Sequence, residues 1–302
     1  MSLIAFFLIF SSAVLHAGWN VIAKKSGHTL AFYAVICLTS CMIWIHTQFW
    51  TPIRVWTSLP VSFWGCIAGT VTADCLYGLF LLRAYRTMEM STAYPMMRAL
   101  PLLFTAILTT LMGWGKGLTP TALLGMTVVF TGCVMMPLKK FSDFHFRDYL
   151  SKNMGTILIV ACCTTGYTIF DSEGQRILRS VCDPAISKSI SSMTYYSTRS
   201  IFLTSSLLFL VLLHPQWRKE LFSFPKARNL TPIYAGLFAS LAYFLVLLSM
   251  NYVTNVSFVQ VFRQLGMLMG MLGGIIILKE RPTAPKYLGV SLIVGGLILT
   301  LF

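Results

Sequence analysis

The sequence predicts an all-α integral membrane protein of ten transmembrane helices arranged as two inverted five-helix repeats, and three observations carry that prediction. Apolar residues make up 56% of the chain and charged residues only 11%, against roughly a quarter charged in soluble domains. Ten apolar stretches follow one another from end to end, each close to the ~20 residues that a helix needs to cross a bilayer. Displaced by 165 residues, the end of the first half falls on the end of the second: Arg98 on Arg263, Leu100 on Leu265 and Pro120 on Pro285.

The stretches are justified in order. Residues 2–23 lack a basic segment ahead of the apolar run, so they read as a retained helix and not as a secretory signal. Residues 29–49 and 60–82 follow, then 92–113, where Pro95 and Pro101 predict a kink. Such a kink is tolerated in a membrane when neighbours satisfy the freed carbonyls. Residues 118–138 end the first half; 154–171, 190–213, 231–250, 255–278 and 285–302 make up the second. In the ninth stretch Gly266, Gly270 and Gly274 recur every four residues, clearing a face for a neighbouring helix. With a one-residue adjustment Gly125 and Gly132 match Gly289 and Gly296, and Gly18 and Trp19 match Gly166 and Tyr167 at a shift of 148. The division is therefore residues 1–138 as the first repeat, 139–153 as a connecting loop and 154–302 as the second repeat. An odd number of spans per repeat turns the second copy upside down, an architecture that puts a binding site near the midplane where the halves meet.

The net charge is +14. Most basic residues flank the stretches, which points to topology and anionic lipid headgroups as partners and not to nucleic acid. One set of alternating connections holds Lys24, Lys25, Arg83, Arg86, Lys139, Lys140, Arg218 and Lys219 among others; the opposite set holds Arg54, Lys116, Arg176, Arg179 and Lys188. The positive-inside rule makes the first set cytoplasmic and both termini external. Eight cysteines without C-x-x-C spacing read as small buried residues, with no disulfide framework. A nucleophile elbow, an H-E-x-x-H helix, a Walker loop and metal-ligand spacing are all missing from the sequence. The chain reads as neither an enzyme nor an ATP-driven pump, with no catalytic residues, cofactor or metal expected.

An arginine at the centre of a bilayer costs at least ~3 kcal/mol on insertion scales and persists mainly beside a cavity, a partner or a substrate. Arg98, Arg199 and Arg263 all lie well inside apolar stretches. The other polar residues far from stretch ends are His16, Trp19, Asn20, Asp74, Tyr77, Tyr94, Tyr167, Asp171, Tyr195, Tyr243, Gln260 and Gln264. Helical spacing sets Asp74 with Tyr77, Tyr94 with Arg98, Tyr195 with Arg199 and Gln260 with Arg263 on shared faces. Phenol and guanidinium both donate to carboxylate or phosphate oxygens, so these faces suit a polar pathway for an anion. Structural ion pairs to Asp74 and Asp171 are the alternative, and they leave three arginines against two acids.

Two strings connect these residues to a known family. The first stretch ends His16-Ala17-Gly18-Trp19-Asn20-Val21-Ile22-Ala23-Lys24, and the last two join through Lys279-Glu280-Arg281-Pro282 ahead of Gly289, Gly295 and Gly296. In these strings the chain resembles the EamA family of the drug/metabolite transporter superfamily. The first string, with Tyr167-Thr168-Ile169-Phe170-Asp171, is most similar to its phosphonate-utilisation-associated branch. Gly115 and Lys116 depart from the acidic turn expected after the fourth span. The resemblance implies ten spans and cytoplasmic termini, against the basic-residue count. The function expected is secondary transport of a small polar metabolite across the bacterial plasma (inner) membrane by alternating access. An amino acid, an organic anion or an organophosphonate is the expected solute, and a homodimer stays open. The alternatives are a flippase for a lipid-linked anionic sugar, and a membrane scaffold or sensor without transport.

Overall fold

The computed structural model describes residues 2–24, 29–87, 90–143, 154–184, 186–279 and 282–302, and the regular structure among them is helical throughout. Five helical segments are long and apolar enough to cross a membrane: Leu30–Trp50, Val61–Leu81, Met154–Val181, Lys188–Leu213 and Thr231–Tyr252. Leu3–His16, Met96–Met112, Pro120–Met135 and Ala284–Leu299 are shorter apolar segments. Large apolar side chains, among them Phe7, Val61, Leu111, Phe209 and Leu213, face outwards, while Asp74, Asp171, Gln175, Arg199 and Gln260 are buried. That inside-out distribution suits hydrocarbon surroundings and not water. The chain is a multi-pass membrane protein.

In chain order the helices are α1 (Leu3–Lys24), α2 (Leu30–Trp44, continued by the 3-10 turn Ile45–Trp50), α3 (Ile53–Thr57), α4 (Val61–Thr87), α5 (Met90–Met112), α6 (Pro120–Met135) and α7 (Met154–Val181). They continue as α8 (Lys188–Leu213), α9 (Pro215–Lys226), α10 (Thr231–Ser249), α11 (Ser257–Phe262), α12 (Leu265–Leu278) and α13 (Ala284–Leu299). Starts follow local chemistry: the hydroxyls of Thr29, Thr119 and Ser187 accept from the backbone N–H of Phe32, Ala122 and Ile190. Pro120 then occupies a first-turn position where a missing N–H costs nothing.

Three features depart from the sequence reading. The stretch expected to end at residue 171 runs to Val181 as α7. Within its polar tail Arg176 Nε donates to Glu173 Oε2 at 2.8 Å, and Gln175 Nε2 donates to the Leu247 carbonyl at 3.2 Å. The connection expected over 214–230 contains α9, where Trp217 stacks on His214 at 4.1 Å. The ninth stretch breaks at Arg263 and Gln264, between α11 and α12.

Packing pairs helices across the chain. α1 lies against α10 and α4 against α7; α2 meets α8, and α6 meets α13. The last contact shows why glycine recurs. A Cβ on Gly125 would lie 2.7 Å from the Gly296 carbonyl oxygen, and one on Gly132 would lie 2.7 Å from that of Gly289. Pairing 125 with 296 and 132 with 289 runs the two helices antiparallel at backbone contact, close enough for Cα–H to carbonyl interactions.

Candidate functional site

The buried polar residues resolve into two groups. The first surrounds Arg199. On α8, Tyr195 and Arg199 are one turn apart and both reach Asp171 of α7: the Tyr195 hydroxyl donates to Oδ1 at 2.9 Å, and Arg199 Nε lies 3.3 Å from Oδ2. Thr70 of α4 donates to Oδ1 at 2.7 Å and Tyr243 of α10 to Oδ2 at 2.5 Å. One turn beyond Thr70, Asp74 accepts from Arg199 Nη2 and, at 2.7 Å, from the Tyr33 hydroxyl of α2. The guanidinium also lies 4.6 Å from the centre of the Tyr243 ring. Isolated, any of these charges would carry a large desolvation penalty; here each is surrounded by donors or by opposite charge. Gly174 makes the arrangement sterically feasible, since a Cβ there would stand 2.7 Å from Tyr195 Cε2.

The second group gathers at a cavity lined by Ile9, Ser12, Ala13, His16, Arg98 and Arg263. At the break between α11 and α12 the backbone tightens: Gln264 N–H bonds to the Val261 carbonyl at 3.0 Å, and Gly266 N–H to that of Arg263 at 3.1 Å. Across the gap Arg98 Nη2 donates to the Arg263 carbonyl at 3.0 Å, and Gln264 Nε2 returns a bond to the Arg98 carbonyl at 3.0 Å. Helix interruption at membrane depth is tolerated in this way, with neighbouring side chains satisfying freed backbone groups. Gly266 leaves room for it, because a Cβ there would be 3.1 Å from Arg98 Nη2. Arg263 Nη1 donates to Gln260 Oε1 at 3.1 Å. Gln264 Oε1 is a buried acceptor without a hydrogen bond. The free space is small, about 10 Å³, enough for a single water molecule.

A row of rings connects the groups. Tyr77 meets Tyr167 edge to face at 5.9 Å, Tyr167 meets Tyr243 at 6.1 Å, and Tyr243 meets Tyr196 at 5.9 Å.

Of the residues singled out by sequence, Asp74, Asp171, Tyr195, Arg199 and Tyr243 form the first group, and His16, Arg98, Gln260, Arg263 and Gln264 gather in or beside the cavity. Tyr77 and Tyr167 belong to the ring row. The side chains of Trp19, Asn20 and Tyr94 lie outside those described. Arginines and acids do not pair one to one: both acids face Arg199, while Arg98 and Arg263 meet at the cavity. Tyr33, Cys37, Thr70 and Gly174 escaped the sequence reading, whereas Gly266 was read there as a packing glycine without its neighbour Arg98. Thr70, one helical turn before Asp74, had a spacing signal; the other three are defined only by neighbours distant in sequence.

Known proteins agree with this architecture. Residues 180–302 match the model of the EamA-like transporter family. No curated protein matches the chain. A crystal structure described simply as that of a protein shares the fold, with a TM-score of 0.70 over 98% of this chain and 96% of its own at 14% identity.

Proposed function

We propose that the chain is an EamA-type secondary transporter of the drug/metabolite transporter superfamily, which moves a small anionic or zwitterionic solute across the plasma membrane by alternating access. Ten spans in two inverted repeats, residues 1–138 and 154–302 joined by 139–153, are part of this reading. The helix pairs support it, since α1 on α10 and α7 on α4 exchange under the proposed repeat, while α2 with α8 and α6 with α13 pair repeat mates. So does the reversed glycine order at the α6 and α13 contact.

The observation that carries the function is the meeting of the repeat mates Arg98 and Arg263 at one central cavity, where a helix is interrupted. Broken helices with polar backbone at the repeat interface are where secondary transporters hold their solutes. Two guanidiniums facing the same small space favour an oxyanion, whose oxygens accept from both forks. A carboxylate or a phosphonate fits that chemistry. The described side chains leave room there for one water molecule, so the site must widen to admit the solute. Proteoliposomes loaded with radiolabelled amino acids, organic anions or phosphonates test the reading. Uptake of one of these anions should fall at least tenfold in Arg263→Ala and in Arg98→Ala; unchanged anion transport in both variants would remove the assignment.

A further inference from the structure

The buried charges around Arg199 do not sum to zero. Asp74 and Asp171, 4% and 0% exposed, share one guanidinium that is itself 4% exposed. The guanidinium serves them unequally. Nη2 bonds Asp74, whereas Nε, which faces Asp171, is a buried N–H without a hydrogen bond of acceptable geometry. The titratable and polar groups packed on the unit come from every neighbouring helix: Tyr33 and Cys37 from α2, Thr70 and Cys75 from α4, Tyr195 and Tyr196 from α8, and Tyr243 from α10. None of these groups carries a positive charge. Arg263 stands beside Tyr167 and Tyr243 and belongs to the neighbouring cavity.

We infer that Asp171, the acid that Arg199 faces without hydrogen-bonding, is a proton-binding site. With one guanidinium between two buried carboxylates, the acid that the guanidinium does not hydrogen-bond lacks a full counter-charge, and a buried carboxylate in that position neutralises by taking a proton. The step transfers one proton from a hydronium ion of the aqueous phase to an Asp171 oxygen and leaves a water molecule behind. It leaves one carboxyl, one carboxylate and one guanidinium, a unit of zero net charge. The Tyr243 hydroxyl, 2.5 Å from Asp171 Oδ2, has the geometry to accept from a protonated carboxyl as readily as to donate to an ionised one. Proton binding stands independently of the solute; its use as the coupling ion rests on the transporter reading above.

Infrared difference spectra of the lipid-reconstituted protein, stepped from about pH 9 to about pH 5, test the site directly through the C=O stretch of a protonated carboxyl. The wild-type protein is expected to gain one such band. Asp74→Asn and Asp171→Asn should each lose it, because the remaining carboxylate and Arg199 already balance. Tyr243→Phe removes a donor to the ionised form and should make the band appear at higher pH, a readout available even if an Asn variant does not fold. A wild-type protein with no titrating carboxyl overturns the inference. So does a band retained in both Asn variants, or one whose midpoint is unmoved in Tyr243→Phe.

Discussion

At the scale of the residue, the burial of charge explains most of what surrounds Arg199. Three hydroxyls donate to Asp171, those of Thr70 and Tyr195 at Oδ1 and that of Tyr243 at Oδ2, and Arg199 Nε lies 3.3 Å from Oδ2. Arg199→Met would leave two buried acids without a cation, and breaking a buried pair from one side typically costs about 3–5 kcal/mol. A large drop in the thermal midpoint of the purified protein is expected. Thr70→Val removes one donor from Asp171 and should cost about 1 kcal/mol, with the guanidinium left in place. Gly174→Ala acts sterically: its methyl group would displace Tyr195, an overpacking change of about 1–3 kcal/mol. Equal midpoints for Gly174→Ala and the wild type would show that Tyr195 can move aside freely. The pairing of Tyr195 with Arg199 was legible from their four-residue spacing. Tyr33 was not legible, because its partner Asp74 lies 41 residues away and an isolated tyrosine in an apolar stretch has no local signature.

At the scale of the element, glycines determine which helices touch and where the chain turns. Gly125 and Gly296 put α6 and α13 in backbone contact, so Gly125→Leu or Gly296→Leu should each separate the helices and destabilise by about 1–3 kcal/mol. The double variant should cost less than the sum, because the first change already opens the interface. Thermal unfolding of the three variants measures that coupling; strict additivity would mean that the helices relax independently. The turn between α5 and α6 has a different requirement. Gly115 adopts φ +84, a left-handed conformation, and its missing side chain admits the Thr254 carbonyl. Asn255 then donates to the carbonyls of Trp114 and Lys116 at 3.4 and 3.1 Å. Asn255→Ala is expected to raise hydrogen exchange over residues 113–117 while α5 and α6 keep their protection. The glycine pattern of α6 and α13 was visible in the sequence as a repeat. The break after α11 was not, since Arg263 and Gln264 are ordinary helix formers and the interruption is stabilised by Arg98 from another helix.

At the scale of the whole molecule, the buried polar residues form two groups: two acids share Arg199 in one, and Arg98 and Arg263 meet at a space the size of a water molecule in the other. An anion that binds the folded protein at the arginine pair stabilises it by about 2.7 kcal/mol at a hundredfold excess over Kd. Thermal-shift measurements with amino acids, organic anions and phosphonates should therefore find a stabilising anion for the wild type. That shift should vanish in Arg98→Ala and Arg263→Ala and persist in Thr70→Val, which lies in the other group. By itself the sequence determined the helical class, the membrane environment and the buried charged residues Asp74, Asp171 and Arg199, because hydropathy and helical spacing are local properties that leave a periodic trace. Only the tertiary structure decided that both acids meet one arginine and that the other two arginines share a cavity. Those outcomes depend on which helices lie side by side, and buried charges choose their partners by distance in space, which spacing along a single helix does not encode.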